Sequence, residues 1–180
     1  PESLSYLGLT LENLAPLLDW GITGLRVDYG FSAEEIVTIS RQMEVSLNAS
    51  TLTDDLMEQL IACGLKKEGT SASHNFFPRP ETGLSRDYLI NKNRMLKKYH
   101  IRISAFVPGD GEKRQPLFEG LPTLEEHRYV DVLAAYLDLV ENCLVDDVFV
   151  GDLSLQEDTL SRFEYLKQGI IPIRYVAIDH

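Results

Sequence analysis

Apolar residues along the chain cluster in short runs separated by longer stretches of helical period. Runs rich in β-branched and aromatic residues lie at 22–29 (ITGLRVDY), 44–50 (EVSLNAS), 70–77 (TSASHNFF), 101–107 (IRISAFV), 146–151 (DDVFVG) and 170–177 (IIPIRYVA), and each predicts a strand. Several intervening segments open with a hydroxyl residue suited to a helix start. Ser32 with Glu35, Thr123 with Glu126 and Ser154 with Glu157 fit a capping box, while Thr10, Thr53 and Ser85 predict simpler caps.

Strands that alternate strictly with helices run parallel, joined by right-handed crossovers, so the pattern predicts a doubly wound sheet or a (β/α)8 barrel. No GxGxxG or GxxxxGK[ST] motif is present, which favours the barrel. The motifs HExxH and GxSxG are absent too. Within the strands, Leu25 and Val27 face one way and Arg26 and Asp28 the other; Ile101, Ile103, Ala105 and Val107 separate likewise from Arg102, Ser104 and Phe106. An apolar face for helices and a polar face for an interior suit a barrel wall better than an open sheet covered on both sides. Five or six strands cannot close an eight-stranded ring, so the expected fold is a partial TIM barrel truncated at both ends. Residues 1–169 would form the barrel part, and 170–180 a last strand.

Composition adds limits. With 180 residues, 44% hydrophobic and 25% charged, the chain can bury a core within one domain. A net charge of −11 argues against nucleic acid or an anionic membrane as partner, so an anionic ligand needs a local basic pocket. Cys63 and Cys143 match no metal or CxxC spacing and are expected to be reduced and packed, as in a cytosolic protein. No apolar run reaches the ~18 residues of a membrane span, no metal-ligand cluster is evident, and no cofactor is called for.

Active sites of parallel α/β folds gather at the carboxyl ends of the strands, which selects Asp28, Asn48, His74, Asn75, Phe106 and Asp152. Loop residues Arg79, Glu81, Thr82 and Ser85 join them, with Asp110, Glu119, Glu125 and His127 from the connection 108–127. Each has a plain alternative. Asp28 is a general acid or base, or forms an interior ion pair with Arg26; Asp152 is catalytic, or turns the chain or helps to cap the helix after Ser154. Asn48, in the formal glycosylation sequence NAS, bonds a ligand hydroxyl or forms a turn, and His74 is a ligand contact or a histidine satisfied by backbone.

Arg79, stiffened between Pro78 and Pro80, could grip an anion, or pair with Glu81 or Asp87. The loop GDGEKRQ at 109–115 reads as a solvated lid with Lys113 and Arg114 as anion contacts. Phe76, Phe77 and Phe106 fit a core better than a sugar platform, and His127 fits a helix better than a catalytic role.

The blocks LRVDYGF (25–31), SLNAST (46–51), HNFFPRPETGLS (74–85), AFVPG (105–109), EGLPTLEEHR (119–128) and DDVFVGD (146–152) together resemble the bacterial 6-phospho-N-acetylmuramidase family, in the same order along nearly the whole chain. That resemblance implies a (β/α)8 barrel followed by a cyclophilin-like β domain, with this chain supplying strands four to eight. It further implies a cytoplasmic enzyme of peptidoglycan recycling that releases N-acetylmuramic acid 6-phosphate from N-acetylglucosamine.

Glycoside hydrolysis needs two carboxyl groups. Asp28 and Asp152 lead, with Glu81 and Glu119 behind them; a pair on opposite strands is expected at the ~6.5–9.5 Å of inverting enzymes. The substrate residues expected are Arg26, Asn48, His74, Asn75, Arg79, Thr82 and Ser85, with Arg79 on the phosphate. The rival readings are a non-catalytic phosphosugar-binding barrel and another barrel enzyme acting on a phosphorylated small molecule.

Overall fold

The computed structural model describes Tyr6 and residues 8–173. After helix α1 (Ala15–Asp19) come strand β1 (Gly24–Val27), helix α2 (Ala33–Ser40), β2 (Glu44–Asn48), α3 (Asp54–Ala62), β3 (Thr70–Ser73), α4 (Arg86–Lys98), β4 (Arg102–Val107), α5 (Val132–Asn142), β5 (Asp147–Val150) and α6 (Glu157–Lys167). All five strands are parallel and their order in the sheet follows the sequence. Such an order never reverses, so the sheet is singly wound and the doubly wound alternative falls; the arrangement is consistent with a partial barrel. The strand expected at 170–177 is not present at 170–173, and its remainder lies outside the described residues.

The period-two pattern accounts for the layering. Val27, Val45, Leu47, Ala72 and Ile103 are buried with Ile36, Ile39, Met57, Leu60 and Leu96 of the helices. Ala105 and Val107 join Leu89, Leu124, Val132, Ala135 and Leu139 in a second cluster. Residues of opposite parity form rows on the other face: Arg26, Ser46, Ser71 and Arg102 lie side by side, then Asn48, Ser73, Ser104 and Asp147, then Phe106 and Phe149. Arg102 and Asp147 form an ion pair across the β4–β5 register on that polar face.

Three of the expected caps form. Ser32 and Glu35 make both capping-box bonds, 3.2 Å from the Glu35 N–H to Ser32 Oγ and 2.7 Å from the Ser32 N–H to Glu35 Oε2. Thr53 accepts from the Leu56 N–H and Ser85 from the Tyr88 N–H.

The other three do not. Helix α5 starts at Val132, capped by Asp131, and only a single 3-10 turn follows Thr123, whose hydroxyl instead accepts the Phe106 N–H and donates to the Asn75 carbonyl. Ser154 accepts the Glu112 N–H, and α6 begins later, after Gln156. Thr10 bridges Asn13, while α1 follows Leu14 with a proline in its first turn. At Thr123 and Ser154 the hydroxyl found a nonlocal backbone partner in place of the helix end.

No helix among the described residues is long and apolar enough to cross a membrane, and both cysteines are free thiols. Ile103, wholly buried between sheet and helices, tests the layering: Ile103→Ala should cost about 2–5 kcal/mol, read as a lower urea midpoint with unchanged slope.

Candidate functional site

At the tip of β1, Asp28 is exposed, and its Oδ1 accepts a 2.6 Å hydrogen bond from the buried Asn48 amide. Asn48 is held in turn by the Ser50 N–H, 3.0 Å from its Oδ1, so the amide cannot rotate away. Arg26 does not make the interior ion pair with Asp28. Its guanidinium reaches Asn75 Oδ1 at 2.5 Å and the His74 carbonyl at 3.4 Å. Asp28 is therefore a carboxylate with one fixed neutral donor and an open side.

His74 is fully buried. The Asn93 amide donates to the Cys143 carbonyl at 2.7 Å, which leaves Asn93 Oδ1 as the acceptor facing His74 Nε2 at 2.7 Å. Nε2 must then carry the proton, and Nδ1 accepts from the Ser50 hydroxyl at 3.2 Å. Ser50 Oγ also takes the Asn75 N–H at 3.0 Å. Burial pushes the His74 pKa down to about 4, outweighing the Asn93 bond, and Lys92 and Arg26 add to the lowering. Both ring nitrogens are occupied within the protein, so His74 sets the positions of Ser50 and Asn75 and has no nitrogen left for a sugar hydroxyl.

The loop after β3 is clamped from below. Arg128, 3% exposed, donates to the carbonyls of Phe77 (2.9 Å), Arg79 (3.1 Å) and Gly120 (3.0 Å). Its remaining donors meet both oxygens of Glu125 at 2.6 and 2.7 Å. Glu125 also accepts the N–H groups of Glu81 and Gly83, and its Arg128 hydrogen bond, opposed by burial, holds its pKa at about 2. Gly83 presses so closely on this carboxylate that a Cβ would lie 2.5 Å from Glu125 Oε2. Glu125 is thus structural.

Above the clamp, Arg79 is exposed, and its guanidinium has no hydrogen bond or ion pair among the described residues, so the pairing with Glu81 or Asp87 is not made. Thr82 donates to the Arg79 carbonyl at 2.6 Å, shaping the turn; Ser85 is the cap of α4; the Glu81 side chain is exposed.

Asp152 sits beneath the connection 108–121 with a fully buried side chain. Its oxygens accept the N–H groups of Gly109 (2.9 Å), Arg114 (3.1 Å) and Leu121 (3.2 Å), and the Lys113 ammonium stands 3.7 Å away. Asp152 neither caps α6 nor bonds its own turn; it gathers the backbone of a connection 31 to 43 residues away. Lys113 is turned inward onto the Gly109 carbonyl as well. Asp110 bonds the Gln156 N–H and Thr159 hydroxyl, tying the loop to α6, and exposed Glu119 accepts the Tyr129 hydroxyl at 2.9 Å.

Along the same wall Phe76 meets Phe106 edge to face at 5.3 Å, Phe106 meets Phe149 at 5.9 Å, and the Arg114 guanidinium lies 5.4 Å from the centre of the Phe76 ring.

Glu126, His127 and Asp138 bring possible metal-ligand atoms within 4.8 Å of one another. Arg86 already pairs with both carboxylates, and His127 Nε2 bonds Asp138 at 2.8 Å, so the group reads as a salt-bridge cluster joining α4 to α5. A concavity of 530 Å³ runs along the polar face toward the amino ends of the strands, lined by Arg26, Lys67, His100 and Arg102.

Ser50, Asn93, Thr123, Arg128 and Phe149 went unnoticed as sequence candidates. The sequence pattern marks Thr123 only as a cap and gives Arg128, inside EGLPTLEEHR, no distinguishing signal. Arg128 has one near partner, Glu125 three residues before it, but the contacts that give these residues their roles reach segments 17 to 51 residues away, which no local pattern encodes.

A family model described as "6-phospho-N-acetylmuramidase, N-terminal" matches residues 1–165. The chain belongs to that family. A conserved Enterococcus faecalis protein of unknown function has a similar crystal structure, 41% identical with a TM-score of 0.85, over 93% of this chain and 47% of its own. An uncharacterized B. cereus protein matches at 29% identity and a TM-score of 0.76, over 85% of this chain and 45% of its own. The chain thus spans a little under half the length of these solved relatives. A search of curated proteins gave no match.

The buried histidine predicts a pH dependence. Its pKa of about 4 in the folded state lies below its ordinary 6.5, so the unfolded chain holds more protons between those values and stability rises with pH across that window, levelling above it. Urea unfolding at pH 7 and 4.5 should differ by about 2–3 kcal/mol from this group. His74→Gln should flatten that slope, whereas Glu125, held at about 2, loses its contribution only as the pH falls from about 4.5 toward 2. An unchanged slope in the variant would place the titration elsewhere.

Proposed function

We propose that this chain carries the strand-tip site of a glycoside hydrolase that releases N-acetylmuramic acid 6-phosphate from N-acetylglucosamine during cytoplasmic recycling of peptidoglycan. The reading rests on family membership and on one geometric observation: Asp28 is an exposed carboxylate fixed by a buried amide at the carboxyl end of a parallel strand. In this reading the sheet is part of a (β/α)8 barrel, about strands four to eight. Residues 1–169 belong to it, and 170–180 lead toward a second, β-rich domain.

Asp28 supplies one of the two carboxyl groups that glycoside cleavage requires. The Asn48 amide donates to one Asp28 oxygen and leaves the other to exchange a proton with the glycosidic oxygen or with water. Asp152, bound by three backbone donors, is unsuited to be its partner, and the opposed pair behind an inverting separation goes with it. The second carboxyl group is then assigned to Glu81 or Glu119, both exposed on loops at the same end. Arg79 faces the solvent without an anion of its own and serves the 6-phosphate, since an acidic chain needs a local cation to hold one. Arg26 orients Asn75 toward the sugar substituents, while Thr82 and Ser85 shape the loop and helix start around Arg79.

Hydrolysis of a 6-phosphomuramyl disaccharide, compared with its unphosphorylated analogue, tests the reading. Asp28→Asn should lower kcat about 10²–10⁴-fold with binding preserved. Arg79→Gln should raise KM about tenfold or more for the phosphorylated substrate alone. Full turnover in Asp28→Asn would remove that residue from the chemistry. This part alone is expected to be inactive, so the assay uses the chain joined to the rest of the barrel and second domain; there, phosphosugar binding with no turnover would instead identify a phosphosugar-binding barrel.

A further inference from the structure

On the polar face of the sheet, the last row toward the carboxyl end is aromatic. Phe106 and Phe149 are register partners in β4 and β5, so their rings leave the sheet on the same side. Phe149 is 53% exposed, against the usual burial of such a side chain, while its neighbours Val148 and Val150 pack into the helix-side core. Phe106 supports it at 5.9 Å with a 39° tilt, and Phe76 braces Phe106 edge to face at 83°. These contacts restrain the orientation of Phe149 without covering it.

Arg114 stands at the far end of this wall. It is exposed, its guanidinium makes no ion pair with any carboxylate among the described residues, and it rests over the Phe76 face. Its backbone N–H is fastened to buried Asp152, which fixes where the side chain begins. In a chain of net charge −11 an unpaired guanidinium on an aromatic wall is a local exception to the prevailing sign. An exposed apolar ring at one end of the wall and an unpaired guanidinium at the other match a ligand with an apolar face and an anionic substituent reaching away from it. A pyranose offers such a face through its axial C–H groups.

Resting on the glycosidase reading above, we propose that Phe149, backed by Phe106 and Phe76, is the stacking platform for an amino-sugar ring, and that Arg114 meets an anionic substituent of that sugar. The anion is a phosphate or a carboxylate ether, two groups that a guanidinium binds alike. Asp28 and Arg79 are not needed for this subsite.

Binding of four monosaccharides by calorimetry separates the parts: N-acetylglucosamine, its 6-phosphate, N-acetylmuramic acid and its 6-phosphate. Phe149→Leu should weaken every sugar that binds by about tenfold, and Phe149→Trp should hold or improve affinity, with thermal melting unchanged because the ring is exposed. Arg114→Gln should weaken only sugars bearing the anion it meets: the two phosphates if that anion is phosphate, the two muramic acids if it is the carboxylate. Affinities within twofold of the parent in Phe149→Leu would overturn the platform, and a uniform loss or no loss in Arg114→Gln would overturn the anion contact. Absence of binding by all four sugars would overturn the subsite as a whole. The hydrolysis assay is read separately: sugars that bind through Phe149 in a protein that cleaves no disaccharide would leave the platform standing and remove the glycosidase reading.

Discussion

Long connections over the ends of parallel strands carry many backbone groups that must find partners, and buried charges need partners too. In this protein each demand meets the other. Arg128 satisfies three carbonyls from two loops, Glu125 accepts two N–H groups of the first of them, and Asp152 accepts three N–H groups of the second. Glycines permit the approach: a Cβ on Gly151 would collide with the Leu121 carbonyl beside Asp152. Remove either charge and its partners are left buried and unpaired, a larger loss than an exposed ion pair could cause. The loops that shape the strand-tip surface therefore depend on two buried ionic centres that do not themselves face it.

That division of labour identifies the groups left over for a ligand. Asp152, Glu125, Lys113, His74 and His127 are engaged within the protein, whereas Asp28, Arg79 and Arg114 present charge outward and Phe149 presents an apolar ring. The chain Asn93–His74–Ser50–Asn75 links the helix α4 interior to the Arg26 contact, so a residue deep in the core sets the position of one at the surface. A neutral, buried imidazole suits this role because it can accept on one side and donate on the other. A charged residue at that place would lack a counterion.

Much of the architecture was legible in the chain itself. Alternation of β-branched runs with capped helical segments was enough for five parallel strands, and period two separated the helix-facing Ile103, Ala105 and Val107 from the polar face, because side-chain direction along a strand is a local property. Caps were legible where the hydroxyl served its own helix, at Ser32, Thr53 and Ser85. They misled at Thr123 and Ser154, whose hydroxyls bond backbone far away in sequence. The motif HNFFPRPETGLS, with the other blocks, signalled the family, and the family model agrees.

The sequence by itself determined which residue types stand at the strand tips, since strand ends follow from local pattern. Only the tertiary structure decided which of them are free to act. Asp28 and Asp152 read alike as aspartates ending strands, yet one is exposed and the other is enclosed by a loop that crosses 31 to 43 residues of sequence to reach it. Burial and hydrogen-bond partners depend on which segments meet in space, and no local pattern around either aspartate encodes that meeting.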